Sequence, residues 1–258
     1  MRNYFNMIDY DLHVHTEYCG HAPGMSVEAL IRAAEAKRLR TVAIASHVFN
    51  EGNLELIGRI TDEAAKISTD VEIIVGAEVD ADGLASDGSL VTDNLNGIPY
   101  IIGSIHYIPG TGVYPKSPED NPLGGEEFFD KWASTLLGLA GNPVLDVLGH
   151  PGRLFAAACD VDIYFDDMIA VMRQAAEMSK GNNIAWEINE LNSRKIPPKY
   201  LEQWTETIRV AVEAGVKIVY GSDAHKPEDV GVTDYTKTVI ADLPGLKLET
   251  PESLNIRR

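Results

Sequence analysis

The seven histidines are the residues of this chain whose type and spacing most directly suggest chemistry. His13 and His15 lie two residues apart near the end of an apolar segment, residues 8–14. Because residues two apart in a β-strand point to the same face, this pair directs two ring nitrogens towards one metal ion. A single pair of this kind often has no function, so the interpretation depends on the other histidines.

The remaining histidines and two acids follow, directly or closely, short apolar segments of the chain. Any one of them could be an ordinary polar residue at a strand end, but the placement of all of them favours a shared metal site. The candidate ligands are His13, His15, His21, His47, Glu78, His106, His150, Asp223 and His225. Imidazole with carboxylate suits zinc, manganese, iron, cobalt or nickel better than calcium or magnesium alone. One tetrahedral ion takes about four ligands, so this set predicts two or three divalent ions.

Segments rich in valine and isoleucine alternate with longer amphipathic segments along the chain. The predicted strands are Ile8–Val14, Thr41–Ala45, Val71–Val79, Tyr100–Ile105, Val144–Leu148, Asn183–Ile188 and Lys217–Gly221. The predicted helices are Ser26–Arg38, Leu54–Ser68, Glu126–Ala140, Asp166–Lys180, Lys199–Ala214 and Tyr235–Ala241. We expect Ser26 to cap the first of these helices at its N-terminus. We expect glycines at 181 and 215 to end the fourth and fifth.

This alternation predicts an α/β fold with a parallel sheet. Seven units without a linker favour a distorted (β/α)7 barrel, similar to a TIM barrel, over an open doubly wound sheet. We expect residues 1–258 to form a single domain. Sites in such barrels lie at the C-terminal ends of the strands, which is where the candidate ligands fall.

Composition and charge narrow the range of functions. The formal net charge of −17 disfavours binding to the nucleic-acid backbone. No apolar run reaches the roughly 18 residues of a membrane helix, and the start of the chain shows no signal-peptide pattern. Cys19 and Cys159 form no motif, so we expect no disulfide and a cytoplasmic location.

As an ordered set, these motifs resemble the PHP superfamily, named for polymerase and histidinol phosphatase. The resemblance runs from residue 11 to residue 225 and leaves no ligand position of the family pattern unfilled. It implies a distorted seven-stranded barrel with a trinuclear metal centre. It also implies that the first ion takes His13, His15, Glu78 and Asp223, the second Glu78, His106 and His150, and the third His21, His47 and His225.

Charge balance favours a small phosphorylated substrate. Neutral imidazoles add no charge, while Glu78 and Asp223 offset part of the charge of three divalent ions, which leaves a pocket of about +4. We therefore predict a phosphomonoester hydrolase in which the ions lower the pKa of a bound water and the resulting metal-bound hydroxide attacks phosphorus. The candidate catalytic residues are Glu78, Asp223 and His225.

Three residues near the predicted strand ends are candidates for binding the substrate. Arg153 closely follows a metal ligand, and its guanidinium group could hold a phosphate. Asn192 and Arg194 follow the sixth strand, in a segment similar to one that lines the pocket of related phosphatases. The long loop of residues 109–125, which contains Lys116, is a candidate lid or substrate loop.

Other functions stay open at this point. Histidinol phosphatase is the most specific candidate, because residues 13–21 resemble the opening of that branch. A metal-dependent amidohydrolase also begins with His-x-His but typically bridges its ions with a modified lysine, where this chain has Glu78. A non-catalytic metal-binding module would bind metal without turnover. The sequence leaves the metals open among zinc, manganese and iron, and it leaves the oligomeric state open.

Overall fold

Seven parallel strands form one sheet in the computed structural model, which describes residues 8–109, 121, 123–254 and 256. The strands follow one another in chain order across the sheet. They are β1 Tyr10–Val14, β2 Thr41–Val48, β3 Glu72–Asp80, β4 Ile101–Ser104, β5 Val147–Leu148, β6 Ala185–Asn189 and β7 Ile218–Gly221. All seven predicted strands are confirmed, with ends that shift by a few residues.

Helices accompany the strands along the chain. They are α1 Val27–Ala36, α2 Leu54–Ala64, α3 Gly125–Ala140, α4 Arg153–Ala158, α5 Val161–Asn182, α6 Asn192–Lys195, α7 Thr205–Ala214 and α8 Asp234–Asp242. The Ser26 side chain accepts a hydrogen bond from the Ala29 amide, as predicted for an N-cap. Within the described ranges, no helix combines the length and apolarity needed to cross a membrane.

The sequence-based bounds of α5 are wrong at both ends. The helix begins at Val161, after an N-cap at Asp160 whose side chain accepts from the Asp162 amide. It ends with Asn183 in the left-handed conformation, two residues beyond the glycine expected to end it. Asparagine tolerates this conformation because its short polar side chain can bond locally. The short helices α4 and α6 were not predicted, and α7 begins six residues later than predicted, after a 3-10 turn at Pro198–Tyr200.

The sheet closes where β1 meets the chain that follows β7. The His15 amide donates to the Ala224 oxygen at 3.0 Å, and the Asp223 amide donates to the His13 oxygen at 2.7 Å. Val14 and Ala224 form a parallel bridge. The barrel prediction is therefore confirmed, and the open doubly wound alternative is wrong. That residues 1–258 form one domain stays a prediction.

A β-bulge in β1 directs the two histidines of this strand into the barrel. The pairing with β2 slips between Asp11 and Val14, so that β1 carries one extra residue there. Leu12 packs with Ala43 and other residues that come mainly from the strands, whereas Val14 packs in the cluster that contains α1. An extra residue reverses the alternation of faces. His13 and His15 therefore point inwards above Leu12.

The barrel interior is apolar at one end and polar at the other. Its apolar end is a cluster drawn from all seven strands, including Leu12, Ala45, Ile102, Val147 and Val219. On three strands a polar side chain lies two residues after an apolar one, as the period of a strand requires: His47 after Ala45, Ser104 after Ile102 and Glu187 after Ala185. Both groups are buried, so the polar side chains must find partners among themselves or in a bound ion.

Replacing Asp11 by alanine should lower the free energy of unfolding by about 2–3 kcal/mol, because three backbone amides lose a buried acceptor. The Asp11 carboxylate accepts from the amides of Ser222 at 2.9 Å, Gly231 at 2.9 Å and His13 at 3.3 Å. Urea denaturation followed by circular dichroism measures the change. Asp9→Ala, at an exposed acid in an ion pair with Arg40, is the control and should stay within about 0.5 kcal/mol. Equal losses in the two variants would show that Asp11 does not hold the barrel closed.

Candidate metal centre

All nine predicted metal ligands lie together at the C-terminal ends of the strands. Seven of them are buried, His225 is partly exposed and His21 is exposed. Ring contacts connect all seven histidines, with centroid distances between 4.2 and 6.1 Å. The prediction that these residues share one rim agrees with this geometry. That they bind metal stays a prediction.

Four of these residues surround one point at the end of β1. The Nε2 atoms of His13 and His15 are 3.1 Å apart, and they lie 3.3 and 3.6 Å from Oε2 of Glu78. Oδ1 of Asp223 lies 2.9 Å from Nε2 of His15 and 4.0 Å from Nε2 of His13. Donor atoms about 3–4 Å apart suit an ion with ligand bonds near 2.0–2.2 Å. These four residues are the first ion's ligands implied by the family resemblance.

The second oxygen of Glu78 faces a different pair of histidines. Oε1 lies 2.8 Å from Nε2 of His150 and 3.4 Å from Nε2 of His106. It also accepts a hydrogen bond from the Ser104 hydroxyl at 2.6 Å. The Glu78 carboxylate is therefore placed to bridge two ions, as the resemblance implies.

The outer edge of the site is formed by His21 and His225, whose Nε2 atoms are 2.9 Å apart. His47 lies further inside, with Nδ1 2.7 Å from Oε2 of Glu78 and its ring stacked on that of His15. His47 thus sits between the outer edge and the Glu78 carboxylate. Its assignment to the third ion stays a prediction.

The protonation states of His21 and His225 test whether a metal ion fits between these two rings. Nδ1 of His21 lies 2.9 Å from the Cys19 carbonyl oxygen, and Nδ1 of His225 lies 2.9 Å from the Asp223 carbonyl oxygen. A carbonyl oxygen only accepts, so both Nδ1 atoms carry hydrogen, and in neutral rings both Nε2 atoms carry lone pairs. Two lone pairs 2.9 Å apart repel each other unless a cation lies between them. The pair therefore fits a metal ion.

Buried atoms without hydrogen bonds also indicate that metal ions fit this site. Oε2 of Glu78 and the Nδ1 atoms of His15 and His47 are buried and make no hydrogen bond of acceptable geometry among the described residues, although Nδ1 of His47 lies 2.7 Å from Oε2 of Glu78. A carboxylate oxygen in this state would cost several kcal/mol without a cation. Ligation by metal ions would satisfy Oε2 of Glu78 and Nδ1 of His47.

Burial and neighbouring charges shift the pKa values of the ligands in both directions. Burial would lower the pKa values of His13 and His106, but the charges of Glu187 and Glu78 raise the pKa of His13 and the charge of Glu78 raises that of His106, so these two rings would lose a proton on binding a metal ion. Burial, followed by the charge of Arg153, lowers the pKa of His150 to about 4. Burial also lowers the pKa values of His21 and His225, which are therefore neutral at neutral pH. Burial alone would raise the pKa of Glu78, but the nearby imidazoles, His106 foremost, hold it well below its ordinary value.

Two carboxylates outside the ligand set orient ligand rings. Oδ1 of Asp80 lies 2.7 Å from Nδ1 of His106, and Oε1 of Glu187 lies 2.8 Å from Nδ1 of His13. Both contacts leave the Nε2 atoms facing the site. The role of Glu187 was missed, although its inward position on β6, the strand without a predicted ligand, was a usable signal.

Two glycines make room for these buried contacts. A side chain at Gly221 would place its Cβ 2.1 Å from Oε1 of Glu187 and 2.5 Å from Cβ of His13. A Cβ at Gly149 would lie 2.4 Å from the Ser104 hydroxyl oxygen. The strand-end glycines that precede Asp223 and His150 are therefore required by the polar side chains of neighbouring strands.

Arg153 is buried against the site. Its Nη1 donates to Oδ2 of Asp223 at 2.6 Å, Nε donates to Oδ1 of Asn192 at 3.0 Å, and Nη2 donates to Asn189. The guanidinium group thus holds Oδ2 of Asp223 in place, and Oδ1 of Asp223 faces His15. Substrate binding by Arg153 and Asn192 stays a prediction.

Arg194 lies apart from this network. It forms a bidentate ion pair with Asp229, with distances of 2.7 and 2.5 Å, and its side chain is half exposed. It lines a groove of about 690 Å³ together with Glu190 and Tyr235, and none of the nine candidate ligands lines this groove. Its predicted contact with substrate stays a prediction. Lys116 and most of the predicted loop lie outside the described residues.

Two ligand residues have backbone conformations that are uncommon for residues other than glycine. His150 has φ 28° and Asp223 has φ 56°. Such conformations cost on the order of 1–3 kcal/mol each and persist where surrounding contacts hold them. The His150 amide donates to Oε2 of Glu187 at 2.9 Å, and the Asp223 amide donates to His13. The backbone is therefore strained where these two ligands turn into the site.

Comparison with known proteins identifies the family. The PHP domain model matches residues 11–191 of this chain. The chain belongs to the PHP domain family. The resemblance stated from the sequence motifs is confirmed.

Relatives of this PHP protein carry phosphatase names. A probable phosphatase of Clostridium acetobutylicum is 28% identical over 246 residues, which cover 91% of this chain and 86% of the relative. A probable histidinol-phosphatase of Deinococcus radiodurans is 25% identical, with 86% and 88% covered.

A solved structure supports the fold. The crystal structure of histidinol phosphate phosphatase from Lactococcus lactis, complexed with zinc, L-histidinol and phosphate, aligns with a TM-score of 0.68 at 17% identity. The alignment covers 97% of this chain and 99% of that one. At this identity the likeness shows the fold alone, and it agrees with the seven-stranded barrel.

Replacing Glu187 by glutamine should weaken metal binding about 10- to 100-fold, the usual effect of losing a carboxylate that orients a ligand ring. Glutamine has one acceptor oxygen, whereas Glu187 serves both His13 and the His150 amide with its two. Competition with a chelator of known affinity measures the change. The control is Glu202→Gln, on the wall of the groove that Arg194 lines. Unchanged affinity in Glu187→Gln would refute the orienting role.

Proposed function

We propose that this PHP protein is a metal-dependent phosphomonoester hydrolase whose centre holds three divalent transition-metal ions. The observation that carries the proposal is the rim of facing donor atoms, with Nε2 of His21 and His225 2.9 Å apart and Nε2 of His13 and His15 3.1 Å apart. Family membership and the names of the relatives support hydrolysis of a phosphate ester as the reaction class.

The charges of the site support an anionic substrate. Three divalent ions outweigh the two ligand carboxylates, and bound ions are usually the largest local charges of a site. The buried guanidinium of Arg153 adds a further positive charge beside Asp223. The pocket would therefore attract a phosphate dianion although the chain as a whole is strongly acidic.

The candidate catalytic residues hold different parts of the centre. Glu78 would join two ions, because its two oxygens face different histidines. Asp223 would bind an ion through Oδ1, while Arg153 holds its other oxygen. His225, at the partly exposed outer edge, would hold the third ion next to incoming substrate. When bound, such ions activate water and neutralise the oxygens of the transferring phosphoryl group.

Phe49 is the residue beside the centre best suited to meet the leaving group. Its ring stacks on His47 at a centroid distance of 4.6 Å and meets His106 edge-on at 5.8 Å. It is nevertheless 40% exposed, which is unusual for a large aromatic residue. It offers a flat apolar surface next to two candidate ligands. This observation favours a substrate with a planar group, and histidinol phosphate, whose leaving group carries an imidazole ring, is the specific candidate.

Metal analysis with a phosphate-release assay tests the main proposal. Protein purified without chelator should contain three equivalents of transition metal and release phosphate from monoesters. Chelator should abolish the activity, and zinc, manganese or iron should restore it. Glu78→Gln should lower kcat by at least about 100-fold, since both bridged positions lose a charged ligand. Tight metal binding without turnover of any ester would instead indicate a binding module.

Phe49→Ala should raise KM for histidinol phosphate roughly 2- to 10-fold, which corresponds to a ring contact of about 0.5–1.5 kcal/mol. KM for glycerol phosphate, which has no ring, should change little. Steady-state kinetics with both esters gives the comparison, and Phe49→Tyr, which keeps the ring, is the matched control. An equal rise for both esters would place Phe49 away from the leaving group.

A further inference from the structure

Cys19 lies at the outer edge of the candidate metal centre. Its Sγ atom and a ring nitrogen from each of His21 and His225 all lie within 4.8 Å of one another. The two histidines present lone pairs to each other at 2.9 Å, as shown above, and this independently indicates a cation at this position. The thiol is thus a third potential ligand atom at a place where two facing imidazole nitrogens already favour a cation.

The chain between residues 16 and 21 holds the thiol and the imidazole in place together. The 3-10 turn Glu17–Cys19 is closed by the Gly20 amide, which donates to the Glu17 oxygen at 3.0 Å. Gly20 takes φ 80°, a left-handed conformation that glycine adopts at little cost. The Cys19 carbonyl oxygen accepts from Nδ1 of His21. One residue therefore fixes the tautomer of His21 and also places a sulfur atom within 4.8 Å of one of its ring nitrogens.

We propose that Cys19 is a ligand of the ion held by His21 and His225. The inference rests on the metal centre of the proposed function and adds to it a residue outside the nine predicted ligands. His47 has a ring nitrogen within 4.8 Å of one of His225, so it can bind the same ion together with Cys19. The third ion then has one sulfur and two nitrogen ligands from the outer edge.

Sulfur ligation makes the third position selective. Thiolate is a soft ligand that favours zinc and cobalt, whereas manganese prefers oxygen ligands. The thiol loses its proton when it binds the ion, so this position also gains one negative charge. The outer position should accordingly bind zinc or cobalt more tightly than manganese, and this preference should depend on Cys19.

The second cysteine provides a matched control. Cys159 is buried after α4, and its Sγ lies 3.9 Å from the Gly125 carbonyl oxygen. It is not part of any of the ligand groups found at the rim. Cys159→Ser therefore removes a thiol without changing the candidate centre.

Reconstitution with Co²⁺ tests the proposal by absorption spectroscopy, independently of activity. Wild-type protein and Cys159→Ser should both show a thiolate-to-cobalt charge-transfer band in the near ultraviolet. Cys19→Ser should lose this band, and one of its three cobalt ions should bind at least about tenfold more weakly. Its circular dichroism should match that of the wild type, because serine is similar in size.

Thiol labelling of the Cys159→Ser protein adds a measurement that needs no change at Cys19. A thiol reagent should modify Cys19 in the metal-free protein, and bound Zn²⁺ should protect it, whereas Mn²⁺ should protect it much less. Labelling at the same rate with and without Zn²⁺ would overturn the proposal.

The outcomes separate this proposal from the proposed function. Three bound cobalt ions without a charge-transfer band would overturn ligation by Cys19 and leave the trinuclear centre intact. A wild-type protein that binds no cobalt would overturn both. The band in the wild type and its loss in Cys19→Ser alone would support Cys19 as a ligand.

Discussion

The structure of this PHP protein depends on one constraint. Imidazole and carboxylate groups lie together at a buried rim, and they have too few N–H groups to hydrogen-bond with one another. Carbonyl oxygens and carboxylates take the hydrogens of several rings and leave their other nitrogens facing each other or facing Glu78. Burying such groups without partners costs several kcal/mol each. Bound cations would convert this cost into ligand bonds, and the stability of the rim and its chemistry would then depend on the same ions.

The barrel creates the rim by separating apolar from polar positions along each strand. The inward residues are apolar at one end, where they form a cluster of strand residues, and become ligands or their partners at the other. The bulge in β1 is essential to this separation of apolar and polar positions, because it turns His13 and His15 inwards after Leu12. Ligands from β1 and from the chain after β7 then meet across the closure, where Asp11 ties the two segments together.

The sequence was sufficient for features that follow from local periodicity. The strands were predicted correctly, and the candidate ligands lie on one rim as expected, because the strand ends of a parallel barrel converge on one face. The start of α5 and the short helices α4 and α6 were not predicted correctly. The ends of these helices depend on caps and tertiary contacts that outweigh the helix propensity of the residues. Strand periodicity places Glu187 inwards on β6, but it does not predict that this carboxylate pairs with His13, which lies 174 residues away. The burial of Arg153 against Asp223 is likewise a product of the closed barrel.

The additional charges around the rim refine the argument for an anionic substrate. Glu187 and Asp80 each add a negative charge in orienting a histidine, and Arg153 returns one positive charge. A centre of three divalent ions then falls from about +4 to about +3, and ligation by Cys19 would bring it to about +2. A pocket with that charge would still attract a phosphate dianion, and it would release inorganic phosphate more readily than the ions and two carboxylates alone would allow. In such a centre the orienting acids would favour product release as well as ligand geometry.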